Sequence, residues 1–136
     1  MKKFNRILLI DDDPITNFIN TAVLRVTGLG EPKVTMNGAE AMDYIKNECR
    51  KENLYPDLII VDINMPVMDG FEFAKQYANL KMKETEKAVI LMLTTSSDPR
   101  DIKKTHELGI KMLKKPLTAE IVMDLLAETV NNLTKR

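Results

Sequence analysis

The stretch Leu58-Ile59-Ile60-Val61-Asp62-Ile63-Asn64-Met65-Pro66-Val67-Met68-Asp69-Gly70 runs from an unbroken aliphatic block through an acid and a loop to a helix start. Aliphatic residues without polar alternation read as a strand buried on both faces, because a strand with one wet face alternates. Asp62 ends the block. Asp69 is a cap residue with Glu72 three positions on, the spacing of a capping box. The local unit is therefore strand, acidic turn, helix.

The same unit recurs outward in both directions. Ile7 to Ile10 is an aliphatic run stopped by Asp11, Asp12 and Asp13, and Asp13-Pro14 sets a cap residue before a proline suited to the first helical turn. Val34 to Met36 is a weaker strand, followed by Asn37-Gly38 opening a helix. Val89 to Leu93 is a strong strand ending in Thr94 and Thr95, with Asp98-Pro99 as the next helix start. Ile110 to Leu113 leads into Lys114, Lys115 and Pro116. Thr118 opens the last helix, where Ile121, Leu125 and Val130 lie near one face. Gly28 and Gly109 stand where helices should stop. Five strand–helix units over residues 1–136 predict an α/β, doubly wound parallel sheet forming one domain, with helices on both faces.

Composition excludes several function classes. The chain has 136 residues with 20 Lys plus Arg against 20 Asp plus Glu, so its net charge is zero and a basic nucleic-acid surface is not expected. The single cysteine, Cys49, excludes an internal disulfide and a cysteine-rich zinc site, and reads as part of a polar helix end. His106 lies among Lys103, Lys104 and Glu107 as a solvated helix position, and the nine Met residues read as core and gap fillers. Although Met1 to Arg6 is basic, the apolar run after it is too short for a secretory leader. No other run approaches membrane-spanning length, so a cytoplasmic protein without a membrane partner is expected.

In a sheet of this kind, ligands sit beyond the carboxyl ends of the strands. Those ends carry Asp11, Asp12 and Asp13, then Asp62, Thr94 and Lys115. Asp13 reads as the helix cap. Clustered carboxylates repel unless a cation neutralises them, and oxygen-only donors with room for water and phosphate suit Mg²⁺. A Lys and a Thr facing that cation fit the remaining oxygens of a phosphoryl group. A carboxylate can itself be the nucleophile in such chemistry. No Gly-rich phosphate loop is present, which argues against nucleotide binding.

Four segments, Ile7-Leu8-Leu9-Ile10-Asp11-Asp12-Asp13-Pro14, Asp62 to Gly70, Leu93-Thr94 and Lys115-Pro116, resemble the receiver domain of two-component response regulators. The resemblance covers essentially the whole chain and is nearest to stand-alone, chemotaxis-regulator-like receivers. It implies a flavodoxin-like (βα)5 fold with strand order 2-1-3-4-5. Asp62 is then implied as phosphoacceptor, with Asp11, Asp12, Asp62 and the Asn64 backbone carbonyl as ligands of Mg²⁺. Thr94 and Lys115 are implied to hold the phosphoryl group, and Lys115-Pro116 to be cis. The implied partners are a sensor histidine kinase or histidine phosphotransfer protein and a downstream target protein. Thr94 and Met112 fall at switch positions, but Met112 stands where the family usually has an aromatic residue. Thr95 narrows phosphoryl access on this reading, and Asn64 and Ser96 fall where the family tunes phosphoryl lifetime.

Arg100 to Lys115 holds six basic and two acidic residues, so Lys103, Lys104 and Lys111 form a candidate partner surface. Since 136 − 115 = 21 residues follow Lys115, an appended effector is not expected. Two alternatives compete with this reading. A pseudo-receiver scaffold would be bound without phosphorylation. A haloacid-dehalogenase-like phosphatase would use Asp11 as nucleophile and Asp13 as acid–base. It lacks its Gly-Asp loop after Lys115, has no room for the usual cap insertion, and leaves the Asp62 loop unexplained.

Overall fold

The computed structural model describes residues 4, 6–95 and 97–134, with side chains described as far as residue 128. Ser96 and the Val130 side chain lie outside the described residues. Five parallel strands, β1 (Ile7–Ile10), β2 (Lys33–Thr35), β3 (Leu58–Asp62), β4 (Val89–Thr94) and β5 (Lys111–Lys114), form one sheet in the order β2-β1-β3-β4-β5. The expected topology is thus observed. The two weak strands, β2 and β5, each begin one residue away from the aliphatic run that signalled them.

β3 is the centre, and every residue from Leu58 to Asp62 is buried. Its side chains alternate between two cores. Leu8, Ile10, Ile59, Val61 and Met92 pack against α2 (Gly38–Tyr44) and α4 (Gly70–Ala78) through Ala41, Met42, Phe71 and Phe73. Leu9, Leu58, Ile60 and Leu93 pack against α1 (Pro14–Val26) and α7 (Ala119–Thr134) through Leu24, Val122 and Leu125. Each fully buried aliphatic side chain contributes about 1.5–3 kcal/mol, so two aliphatic layers on one strand fix its central place.

The helix starts follow the sequence signals. Asp13, Asn37, Asp69 and Asp98 are N-caps whose side chains accept from Ile15, Glu40, Glu72 and Arg100 backbone N–H groups. Thr118 Oγ1 accepts from the Ile121 N–H at 3.2 Å. Gly109 closes α6 (Pro99–Leu108) in the left-handed region at φ 68.

Two features depart from the simple alternation. α2 runs on through a π-helical turn, Ile45–Cys49, into α3 (Arg50–Glu52), and α5 (Lys83–Glu86) is an extra short helix before β4. Ala41, Ile45 and Cys49 recur every four residues, and the wider π turn keeps all three on the core. Cys49 is therefore fully buried, correcting its reading as part of a polar helix end. Among the described residues no helix is long and apolar enough to cross a membrane.

Candidate functional site

Asp11 and Asp12 follow β1, Asp62 ends β3, Thr94 ends β4, and Lys115 follows β5. Parallel strands of similar register bring these ends to one rim. One carboxylate oxygen from each of Asp11, Asp12 and Asp62 lies within 4.8 Å of the others. Asp11 and Asp62 are buried, whereas Asp12 is exposed and leaves the cluster open to solvent. Lys115 Nζ is 2.9 Å from Asp11 Oδ2 and 3.4 Å from Asp62 Oδ1, an ammonium shared by two carboxylates.

Each group is held by its local fold. Asp11 Oδ1 accepts from the Asp13 N–H at 2.9 Å. Its backbone N–H donates to Thr35 O at 3.1 Å, and its carbonyl accepts from Asn17 Nδ2 at 2.8 Å. The Lys115 N–H donates to Thr94 O at 2.9 Å, tying the last two strand ends together. Thr94 is fully buried. The Asn64 backbone N–H donates to the Asp62 carboxylate. The loop after Asp62 doubles back so tightly that Gly70 donates its N–H to Ile63 O at 2.9 Å. A Cβ at Gly70 would lie 2.6 Å from Asp62 O, so only glycine lets the α4 start close on the acid. At the tip of that loop, Val67 is exposed with φ 69.

The electrostatics follow from burial. Burial pushes the Asp62 carboxyl above its ordinary range, and the charge of Asp11 adds to the push, while Lys115 opposes both. Burial alone would lower the Lys115 ammonium. Its hydrogen bond to Asp11 and the charges of Asp62 and Asp11 outweigh burial and raise it. Asp13 lies outside this balance: Thr16 and Ile15 donate to its two oxygens as a helix cap and hold it below the ordinary range.

Three carboxylates against one ammonium leave an excess of negative charge. The donors are all oxygen and one is open to water. That set fits a hard divalent cation with part of its water retained, which is the behaviour of Mg²⁺.

The other predicted residues are placed as follows. Asn64 and Thr95 are exposed at the rim. Met112 is half-buried beside Met92 in the β4–β5 register and packs on the α2–α4 core. Lys103 is exposed, as is His106. Lys104 Nζ sits 5.1 Å from the Phe71 ring centroid, and Lys111 Nζ is 2.6 Å from Glu128 Oε2. Two of the three cations of the expected basic surface are thus engaged within the chain. Asn17 and Gly70 belong to the site but were missed as such. Asn17 reads as an ordinary polar helix position, and Gly70 reads as a turn residue with no sign of the backbone crowding.

Comparison with known proteins agrees with this fold. Residues 7–127 match the family described as "Response regulator receiver domain". The chain is 31% identical to hybrid signal transduction histidine kinase B of Dictyostelium discoideum, over 96% of this chain and 7% of that protein. It is 33% identical to the probable C4-dicarboxylate response regulator DctR of Halalkalibacterium halodurans, over 85% of this chain and 46% of that protein. The chain thus spans less than half the length of these two relatives. Among solved structures, a two-component response regulator from Cytophaga hutchinsonii superposes with TM-score 0.84 at 32% identity, covering 96% of this chain and 99% of that one. Chemotaxis protein CheY4 of Vibrio cholerae gives TM-score 0.73 at 28% identity, covering 93% and 98%.

Proposed function

The chain belongs to the response regulator receiver domain family, and from that premise we propose that Asp62 accepts a phosphoryl group and that the protein works as a switch in two-component signalling in the cytoplasm. The observation that carries the assignment to Asp62 is the Lys115 ammonium set between the buried carboxylates of Asp11 and Asp62. Asp11, Asp12, Asp62 and the Asn64 carbonyl would hold Mg²⁺. When bound, the cation supplies charge neutralisation for phosphoryl oxygens.

The chain's own residues do the rest. A carboxylate oxygen of Asp62 attacks phosphorus, forming a P–O bond as the P–N bond to a donor histidine breaks and the imidazole leaves. Lys115 follows the charge from the Asp62 carboxylate to the new phosphoryl oxygens. The Thr94 hydroxyl, at the neighbouring strand end, donates to one of them. The modification places about −1.5 to −2 charge at the strand ends, if it behaves as other phosphorylated side chains do. That charge favours the arrangement in which Thr94 and Lys115 both face it, a population shift that alters the β4–α6–β5 surface. Lys103, Lys104, Lys111 and Met112 lie on that side and are the candidate contacts for a downstream protein. On this reading the protein is a signal-transfer module and not an enzyme acting on other substrates.

A protein donor, a sensor histidine kinase or a histidine phosphotransfer protein, is supported by the face of α1. Of the nine exposed large hydrophobics among the described residues, four, Ile15, Phe18, Ile19 and Val26, lie on this one helix. From Pro14 to Leu24 it carries no charged residue. An uncharged apolar face starting beside Asp12 suits a partner that covers the site mouth.

The test is incubation with acetyl phosphate and Mg²⁺ followed by a rapid quench and intact-mass measurement. One added phosphoryl group is expected, absent when EDTA replaces Mg²⁺ and absent in Asp62→Asn. An unmodified parent chain across a range of small donors would favour the scaffold reading instead.

A further inference from the structure

The first two turns of α1 bury polar side chains and expose apolar ones. Ile15 and Phe18 face solvent, whereas Asn17 and Asn20 are 5% and 3% exposed. A buried carboxamide is unfavourable unless its polar atoms are used. Asn17 uses one of them, since Nδ2 donates to the Asp11 carbonyl at 2.8 Å. Its Oδ1 is buried with no hydrogen-bond partner among the described residues. Asn17 also shares with Asp11, Asn20 and Asp62 the lining of a narrow cleft directly beneath the rim.

The Asp11 carbonyl and the Asp12 N–H belong to one rigid peptide plane. The hydrogen bond from Asn17 therefore sets the plane from which the Asp12 backbone departs. The Asp11 carboxylate is fixed separately, by the Asp13 N–H on Oδ1 and by Lys115 on Oδ2. Asn17 thus holds the backbone link between the first two acids of the cluster, from a helix that contributes no carboxylate to it.

We infer that Asn17 is a positioning residue for the acidic cluster: by orienting the Asp11–Asp12 peptide it sets the affinity of the site for a divalent cation, and through that affinity the rate of phosphoryl acceptance. The second half rests on the phosphoacceptor reading of Asp62. The first half concerns the three carboxylates alone.

Calorimetric titration of Mg²⁺ into the full chain tests it, with Asn17→Leu, which keeps the volume and removes both polar atoms. Groups that orient metal ligands typically change affinity by about 10–100-fold when lost, and a fall of about tenfold is expected here. Melting without Mg²⁺ shows that the variant is folded under the titration conditions; some loss of stability is expected, because the buried Asp11 carbonyl loses its donor. Asn17→Ala gives the same direction should leucine fail to pack. Asn20→Leu changes a second buried asparagine lining the same cleft and should bind Mg²⁺ as the parent does. With acetyl phosphate, Asn17→Leu should need proportionally more Mg²⁺ for half-maximal rate and approach the parental rate at saturation. Parental Mg²⁺ affinity in Asn17→Leu, or an equal loss in Asn20→Leu, overturns the inference. A parent chain that binds Mg²⁺ but takes up no phosphoryl group would instead sink the phosphoacceptor reading and leave the Asn17 comparison standing.

Discussion

Asp62 is the residue at which folding and the proposed function pull in opposite directions. Burial beside Asp11 raises its carboxyl above the ordinary range, so the folded chain holds that proton more tightly than the unfolded chain. Stability therefore falls as pH rises from the ordinary Asp range through the raised value, and the full penalty is present at neutral pH. Asp62→Asn removes that penalty and leaves Lys115 its 2.9 Å contact with Asp11. Without divalent cation the variant should melt above the parent at neutral pH. The gain should vanish as pH falls below the ordinary Asp range. Thermal denaturation across pH checks this, and a variant no more stable than the parent at neutral pH contradicts it. Lys115 is the counterpart: its proton is held more tightly in the folded chain, so it stays charged through neutral pH and offsets part of the Asp62 penalty.

At the scale of elements, α1 has two jobs. Its inner side secures the Asp11 carbonyl through Asn17, and its outer side shows an apolar face beside the site mouth. Phe18 is 74% exposed, so Phe18→Lys should change folding stability by less than about 0.5 kcal/mol. Acceptance from acetyl phosphate should be unchanged. Transfer from a cognate histidine phosphotransfer protein should slow by about tenfold or more, as expected for loss of an aromatic contact in an interface. Equal slowing with both donors would place the fault in the site and not in docking. Elements differ in how openly the sequence announces them. β1, β3 and β4 are aliphatic runs with no competing period, and the helix starts carry side chains that satisfy orphan N–H groups, so both were legible. The π turn was not, because Ala41, Ile45 and Cys49 at spacing four read equally well as α-helix. The orientation of α1 was not legible either. Asn at a helix position reads as surface and Ile or Phe as core, and here the hydrogen bond to Asp11 inverts that assignment.

At the scale of the whole molecule, the doubly wound order assembles the acidic cluster and its ammonium. Lys115 and Asp11, 104 positions apart in sequence, meet at 2.9 Å because β1 and β5, on opposite sides of β3, end on the same rim. The acids, Thr94 and Lys115 were legible as strand-end residues, since the position of an acid or cation just after an aliphatic run places it on that rim. Their mutual distances were not, because those depend on strand register. The central claim is that Asp62, and not a neighbouring acid of the cluster, forms the acyl phosphate. Borohydride reduction after phosphorylation converts the modified aspartate to homoserine, which peptide mass mapping then locates. Homoserine at position 62 alone is predicted; homoserine at position 11 or 12, with none at 62, would contradict the assignment.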